Sequence, residues 1–254
     1  MDRGICRLCD RERDLCRSHI IPEVVFGPLY DDKHRAIELT RNPSPLRYRQ
    51  KGFRYPLLCK DCEGFINDEY EKPFQTSWVN VPHFPQTILK RRYKVTIKDP
   101  DVFRLFIYSV LWRAAVCTVL PFADVRLGAH EDALRRKLLT KVAGPIDDYP
   151  IAAILPVLKD SREIAPVIAD PYREPISGLD IWNLPFGYCI WKVVLTCDDS
   201  RIFARERLRA DGTMRIPAVD VLEIQPIKNL FFATLKPPSD KAGSNPGTKN
   251  EFHL

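Results

Sequence analysis

The hydrophobic pattern is most regular beyond residue 99, where it predicts two helices and several strands. An Asp-Pro-Asp start and a later proline bound a long apolar run, which predicts a buried helix over residues 100–120. Early acidic residues, late basic residues and leucines four apart predict an amphipathic helix over 129–140. Apolar or β-branched runs predict strands over 151–158, 188–196, 218–224 and 230–235. Residues 99–235 are therefore predicted to form a mixed α+β region with a long buried helix and a mainly antiparallel sheet.

The N-terminal part of the chain has a different pattern. Residues 1–88 contain few long periodic runs and are rich in Cys, His, Arg and Pro, which is typical of a small module stabilised by a metal ion. Residues 236–254 are rich in Pro, Gly, Ser and Lys, which predicts a disordered tail. The sequence therefore predicts three parts, at 1–88, 99–235 and 236–254.

Four of the eight cysteines occur as two Cys-x-x-Cys pairs, Cys6/Cys9 and Cys59/Cys62. Four thiolates in two such pairs are the tetrahedral sulfur set that Zn²⁺ prefers, so the pairs predict a structural zinc site with no open coordination position. The alternative is that four unrelated cysteines are buried in the core. If zinc is held in this way, any chemistry must come from other residues.

Two rows of side chains repeat every four residues after the second cysteine pair, which predicts a helix there. One row can pack under the zinc site and consists of Cys62, Ile66 and Tyr70. The neighbouring row carries oxygen atoms and consists of Glu63, Asn67 and Glu71. The second row is either a set of cation ligands or an ordinary solvated helix face.

Charge changes the picture because the basic residues are unevenly spread. The chain has a formal net charge of +6, which permits a polyanionic partner. Two acid-free segments contain basic residues mixed with aromatic residues, and the basic residues that we assign to nucleic-acid binding are Arg41, Arg47, Arg49, Lys51, Arg54, Lys90, Arg91 and Arg92. Such segments suit phosphate contacts and base stacking, although the same composition also occurs in solvated loops.

Membrane insertion and secretion are not expected. Arg104 and Arg113 interrupt the longest apolar stretch, and each costs about 2.5–3.5 kcal/mol at a bilayer centre. The first residues carry charges and lack the apolar core of a signal peptide. We therefore expect a cytoplasmic protein whose cysteines are reduced.

The segment from Cys16 to Glu23 reads Cys-Arg-Ser-His-Ile-Ile-Pro-Glu and lies between the two cysteine pairs. The order of cysteine pair, strand bearing His19, loop, cysteine pair and helix resembles the HNH endonucleases, the zinc-containing treble-clef branch of the ββα-metal nucleases. The resemblance covers residues 3 to about 75 and is similar to a subgroup with a Ser-His-Ile-Ile-Pro motif. It implies a treble-clef module at the N-terminus.

The resemblance also implies roles for individual residues. His19 would be the general base that activates water, while Glu63 and Asn67 would hold one Mg²⁺ or Mn²⁺ ion at the scissile phosphate. The position before the base is usually a metal ligand but is Ser18 here, so Glu71 is a substitute ligand. Asn42 is the only sequence candidate for the asparagine that orients the base. The implied activity is hydrolysis of phosphodiester bonds in DNA, with RNA as the less favoured substrate, in a bacterial or phage-encoded defence or mobile-element system.

Two other classes of function remain open on the sequence. A non-catalytic zinc-finger protein could bind nucleic acid, or act as a regulator, through a degenerate HNH site, and Ser18 favours this reading. A protein-interaction role could depend on residues 99–235, which match no chemical motif. In either case His19 would only hydrogen-bond within the zinc module.

Overall fold

The computed structural model describes residues 2–30, 32–33, 36–38, 47–49, 52–176, 178–196 and 203–229. Arg41, Asn42, Lys51, the predicted strand at 230–235 and the predicted tail at 236–254 lie outside these residues. The described chain is a mixed α+β structure, as the sequence predicts, with sheets in both its N-terminal and its C-terminal part.

The N-terminal part contains a three-stranded antiparallel sheet. Strands β1 (Asp2–Ile5), β2 (Glu12–His19) and β5 (Arg54–Cys59) lie in the order β1-β2-β5. Strands β3 (Ala36–Glu38) and β4 (Arg47–Arg49) form a separate antiparallel pair. A 3-10 helix at Glu23–Leu29 follows β2.

The pairing of β2 with β5 contains a bulge, and the buried side chain of Ser18 lies next to it. Cys16 pairs with Leu58 and Arg17 with Pro56, so Leu57 is the extra residue. A proline has no N–H for the ladder, and a bulge is a usual way to accommodate it. The hydroxyl of Ser18 accepts a hydrogen bond from the Leu58 N–H at 3.2 Å. Ser18 therefore stabilises the sheet irregularity.

A continuous helical segment follows β5, which we call the knuckle helix. It comprises α1 (Lys60–Ile66), a π-helical turn at Asn67–Glu71, α2 (Lys72–Phe74) and a second π-helical turn at Gln75–Val79. Five residues at spacing four are buried along it: Cys62, Ile66, Tyr70, Phe74 and Trp78. In an α-helix of 3.6 residues per turn such a row drifts by about 40° per step, so wider turns keep it on one face. Pro73, which donates no backbone hydrogen bond, also favours the departure from α-helical pairing.

The central helix α3 (Pro100–Val116) is buried from Phe103 to Val116. The Asp99 carboxylate caps it by accepting from the Val102 N–H at 3.0 Å. The predicted start is correct, but the predicted end at residue 120 is wrong because the backbone becomes extended at Cys117. The helix carries two fully buried arginines, Arg104 and Arg113.

Helix α4 (Ala129–Thr140) has the predicted bounds and connects the two parts of the chain. Its Arg135 donates from Nε to the Leu8 carbonyl at 2.8 Å and pairs with Asp10 at 2.5 Å. The Tyr70 hydroxyl donates to the Leu138 carbonyl at 2.5 Å. The helix therefore holds the first cysteine turn and the knuckle helix together.

A six-stranded sheet forms most of the C-terminal part, and it is mainly antiparallel, as predicted. Its order is β6-β11-β7-β10-β9-β8, and only β7 and β11 are parallel. The strands are β6 (Arg92–Thr96), β7 (Ile151–Val157), β8 (Tyr172–Ile176), β9 (Leu179–Phe186), β10 (Cys189–Val194) and β11 (Thr213–Asp220). Strands β7 and β10 lie close to their predicted bounds, whereas β6, β8 and β9 were not predicted.

The predicted strand at 218–224 is wrong in its second half. Strand β11 ends at Asp220, and Val221–Glu223 is a 3-10 turn. The Asp220 carboxylate accepts from the Leu222 N–H at 3.0 Å, which favours a turn over a continued strand.

One hydrophobic core contains buried residues from both parts of the described chain, including Leu58, Ile66, Phe106 and Trp191. A smaller cluster, which includes Ile190 and Ile224, covers the other face of the six-stranded sheet. The boundaries at 1–88 and 99–235 remain a prediction, while packing between the two parts is extensive.

Candidate functional site

The four cysteines of the two Cys-x-x-Cys pairs come together at one end of the three-stranded sheet. Cys6 and Cys9 lie in the turn between β1 and β2, Cys59 ends β5, and Cys62 lies in the first turn of α1. Their four sulfur atoms all lie within 4.8 Å of one another. The Cys59 N–H donates to Cys6 Sγ at 3.3 Å, so the backbone also supports sulfur in this position.

The local backbone explains why these residues converge. Asp10 adopts a left-handed conformation with φ of 56°, and its N–H donates to the Cys6 carbonyl at 2.9 Å, which closes the first turn. The bulge frees the Leu57 carbonyl to accept from the Arg7 N–H at 3.0 Å. The first turn is thereby attached to the end of β5, beside the second pair.

The electrostatics of the cluster favour a cation. Burial alone would raise the pKa of Cys6. Hydrogen bonds from the backbones of Cys9 and Cys59 outweigh this effect, so the net shift of the pKa is downward. Burial and then the neighbouring sulfurs raise the pKa of Cys62 far above its usual range. Four close thiolates repel one another unless a positive ion lies between them. The four cysteines can therefore bind one metal ion, and their tetrahedral sulfur set is the one that suits Zn²⁺.

His19 lies at the end of β2, where it pairs in register with Arg54 of β5. Its side chain is 23% exposed, and its Nε2 lies 3.3 Å from a carboxylate oxygen of Glu23. Its backbone carbonyl accepts from the buried guanidinium of Arg113 at 2.7 Å. His19 is therefore fixed at both its backbone and its ring while part of the ring faces solvent.

The surroundings of His19 keep its imidazole neutral at physiological pH. Burial, followed by the charge of Arg54, lowers the pKa of His19 below its ordinary value. The carboxylates of Glu23, Glu71 and Glu63 act in the opposite direction and do not reverse the shift. A neutral imidazole is the form that can accept a proton.

The oxygen row of the knuckle helix does not behave as one set. Oε2 of Glu63 is buried and has no hydrogen-bond partner among the residues that the structure describes. The Asn67 amide lies 3.3 Å from the neighbouring Asp68 carboxylate. Glu71 accepts from the Arg113 guanidinium at 2.6 Å, so one of its oxygens is already committed to an ion pair.

Outside the cysteine cluster, no three His, Cys, Asp or Glu side chains of the described chain converge to metal-ligand distances. Glu63 is the strongest cation-ligand candidate in the row because a buried carboxylate oxygen without a partner is costly. Asn67 lies one turn further along the helix, and Glu71 is paired with Arg113.

The predicted nucleic-acid contacts are only partly within the described site. Arg54 lies beside His19, and its Nε donates to the Arg17 carbonyl at 3.2 Å. Arg47 and Arg49 lie on β4. Lys90, Arg91 and Arg92 are exposed at or beside edge strand β6 of the other sheet, where Arg92 pairs with Glu206 at 3.8 Å. Among the residues that the structure describes, Arg54 is thus the predicted basic residue that pairs with His19 in the sheet.

Two residues that contact His19 were not predicted from the sequence. Glu23 contacts the imidazole from the 3-10 helix after β2, and its place four residues after His19 is the only signal in the sequence. Arg113 contacts the backbone of His19 from α3. An arginine inside an apolar helix needs a buried acceptor, so its occurrence in the sequence could have indicated this contact.

The fold and site define an α+β protein with a four-cysteine cluster that can bind a metal ion and with a partly exposed histidine at the other end of the β2-β5 pair. No helix of the described residues has the length and apolar character needed to cross a membrane. Comparison with protein-family models, curated proteins and solved structures finds no match to this chain.

Proposed function

We propose that this protein is a metal-dependent HNH-like endonuclease that hydrolyses phosphodiester bonds, with DNA as its main substrate. In this proposal the cysteine cluster binds a structural Zn²⁺ ion within a treble-clef module, and His19 together with residues of the knuckle helix performs the chemistry. The reduced cysteines of the described chain suit the cytoplasm, where thiols bind metals rather than form disulfides. A bacterial or phage-encoded defence system remains the setting that we propose.

The observation that carries the proposal is a neutral histidine that feels the charge of a carboxylate with one oxygen lacking a hydrogen-bond partner. His19 has a lowered pKa and a partly exposed ring, and the buried Glu63 Oε2 lacks a partner among the described side chains. Both belong to elements that begin or end at the cysteine cluster, and the charge of Glu63 acts on His19. A purely structural zinc module has no need for either feature.

The chain's own residues have separable roles. His19 accepts the proton of the attacking water, and the backbone contact from Arg113 maintains its position. Glu63 and Asn67 would hold a divalent cation such as Mg²⁺ or Mn²⁺, which supplies positive charge at the scissile phosphate. Arg54, next to His19 in the sheet, binds the phosphate backbone.

A second candidate function is non-catalytic nucleic-acid binding by a degenerate HNH module. Two observations favour it. The buried hydroxyl of Ser18 accepts a hydrogen bond from the Leu58 N–H, and Glu71 is paired with Arg113. Neither side chain then ligates a cation. In this case the zinc module would present basic residues such as Arg54 to nucleic acid without cleaving it.

The test is a cleavage assay on supercoiled DNA, linear DNA and RNA with Mg²⁺ or Mn²⁺ and with a chelator. The endonuclease proposal expects ion-dependent cleavage that disappears in His19→Ala. The matched control is His130→Ala, which removes a histidine of α4 that contacts Tyr149 at 3.0 Å. Salt-sensitive binding without cleavage would replace the first proposal by the second, and circular dichroism verifies that each variant is folded.

A further inference from the structure

A fixed carboxylate supports the ring of His19 from outside the residues that the HNH resemblance implies. Glu23 begins the 3-10 helix after β2, and its Oε2 lies 3.3 Å from His19 Nε2. The same oxygen accepts from the Gly52 N–H at 2.9 Å, while Oε1 accepts from the Tyr30 hydroxyl. Two donors and a ring nitrogen of His19 therefore converge on one carboxylate and determine its orientation.

Gly52 shows that this arrangement is closely packed. A Cβ atom at position 52 would lie 2.9 Å from Cε2 of Phe26 and 3.2 Å from Oε2 of Glu23. Phe26 is only 2% exposed and cannot move freely. Only a glycine therefore lets the backbone N–H at this position approach the carboxylate so closely. The contact is built from two segments, 23–30 and 52–54, on either side of the β3-β4 pair.

The charge state of Glu23 suits a role at a histidine. Burial alone would raise the pKa of Glu23. Hydrogen bonds from Tyr30 and Gly52, and the proximity of His19, outweigh burial and lower this pKa. Burial, and then the hydrogen bond to Glu23, raise the pKa of Tyr30, which remains a donor. Glu23 is therefore an anion at neutral pH and accepts hydrogen bonds only.

The charged groups that face His19 come from several elements: Glu23 on the 3-10 helix, Arg54 on β5, Glu63 and Glu71 on the knuckle helix, and Arg113 on α3. Of these, Glu23 is the one whose carboxylate contacts a ring nitrogen. Arg113 contacts only the backbone of His19 and also neutralises Glu71. Glu23 therefore has the most direct control over the tautomer of the ring.

We propose that Glu23 is the positioning residue of His19, and that it holds the imidazole with the proton on Nε2 so that Nδ1 accepts the proton of the attacking water. This role rests on the proposed endonuclease function, in which no described asparagine orients the base. The hydroxide forms the new P–O bond as the bond to the leaving oxygen breaks, and the leaving oxygen takes a proton from solvent. His19 later returns its proton to solvent, and the Glu23 carboxylate stabilises the imidazolium in between.

The test combines nitrogen-15 NMR of the histidine rings with cleavage kinetics in Glu23→Ala and Glu23→Gln. We assign the His19 resonances by their loss in His19→Gln. In wild type we expect the Nε2–H tautomer and a titration that moves to lower pH in both variants, because a carboxylate that favours imidazolium has been removed. Cleavage at neutral pH should fall about 10- to 100-fold in Glu23→Ala with little change in KM, as for other residues that orient a catalytic group.

The matched control is Glu12→Gln. Glu12 lies on β2, the strand that also carries His19, and its exposed carboxylate pairs with Arg3 at 3.3 Å. It should change neither the His19 titration nor the cleavage rate. Should Glu23→Ala fail to fold, Tyr30→Phe removes one hydrogen bond to Glu23 and should move the titration in the same direction by less. This variant keeps the carboxylate in place.

The outcomes separate this proposal from the endonuclease proposal. If wild type cleaves and the Glu23 variants cleave equally well with an unchanged His19 titration, the role of Glu23 is wrong and the endonuclease proposal stands. If wild type cleaves nothing, the endonuclease proposal fails, and the NMR measurements alone decide whether Glu23 positions the His19 ring. An unchanged tautomer and titration in a folded Glu23→Ala would then overturn the positioning role.

Discussion

Replacing Glu71 with alanine removes the counter-ion of Arg113, which is a fully buried side chain on α3. The Glu71 carboxylate accepts from the Arg113 guanidinium at 2.6 Å, and Arg113 is 0% exposed while Glu71 is 18% exposed. Breaking a buried ion pair from one side costs about 3–5 kcal/mol because the remaining charge stays buried without compensation. Three further acceptors of Arg113, the carbonyls of His19 and Ser109 and the Ser109 hydroxyl, remain and favour the lower end of this range. We therefore expect Glu71→Ala to lower the free energy of unfolding by about 3 kcal/mol.

The measurement is urea denaturation in the presence of Zn²⁺, with the free energy of unfolding obtained by linear extrapolation. The matched control is Glu69→Ala on the same helix. Glu69 pairs with Lys141 at 2.6 Å, but both side chains are well exposed, so the loss should be no more than about 1 kcal/mol. Equal losses in the two variants would refute the view that Arg113 depends on Glu71.

The same variant tests whether Glu71 is a cation ligand. A ligand that is lost lowers the affinity for Mg²⁺ or Mn²⁺ and leaves stability in the absence of these ions nearly unchanged. A structural counter-ion lowers stability whether or not the ions are present. The structure supports the second result, because Arg113 already contacts both Glu71 and the backbone of His19.

Two further predictions concern the metal cluster and the base. Purified protein should contain about one zinc ion per chain. The Cys59→Ser variant should lose this ion together with about 4 kcal/mol or more of the free energy of unfolding. The control Cys16→Ser, which lies outside the cluster, should retain the ion, and a folded wild type without zinc would contradict the site. The pH profile of kcat/KM should rise through a pKa below the ordinary histidine value, because burial and then Arg54 disfavour the protonated form of His19. Arg54→Ala should move this inflection to higher pH, and a movement to lower pH would show that the charge of Arg54 is not the cause.

Elements with strong local signals could be predicted from the sequence. Helix α4 has its predicted bounds, and α3 has its predicted start, because capping, proline and charge signals act over a few residues. Strands β8 and β9 were not predicted. Strand β8 contains Arg173 and Glu174, and β9 contains the buried Asn183, so their polarity hides the strand pattern. The Glu174 carboxylate accepts from the Asn183 amide at 3.2 Å and contacts Lys192, a network that only the assembled sheet reveals.

The candidate site divides in the same way. The four-cysteine cluster could be predicted because paired spacing encodes a local turn at each end of the site. The contacts of Glu71 and Glu23 could not be predicted, since each involves a partner distant in sequence. Glu71 pairs with Arg113 on another helix, and Glu23 accepts from Gly52 across the β3-β4 region. A row of polar residues on one helix gives no indication of which member faces a buried arginine.

The wide turns of the knuckle helix determine how the metal cluster is oriented relative to the rest of the molecule. Successive members of its buried row contact different elements: Tyr70 bonds to α4, Phe74 stacks on Phe106 of α3 at 3.7 Å between ring centroids, and Trp78 meets Trp191 of β10 at 4.9 Å. If the segment were a regular α-helix, four steps from Cys62 to Trp78 would rotate the tryptophan by about 160° away from the cysteine face. The pitch of this one helix therefore fixes the angle between the cysteine cluster at its start and the six-stranded sheet at its end. An insertion or deletion of one residue within the knuckle helix would change the angle between the cysteine cluster and the six-stranded sheet, although all four cysteines would be unchanged.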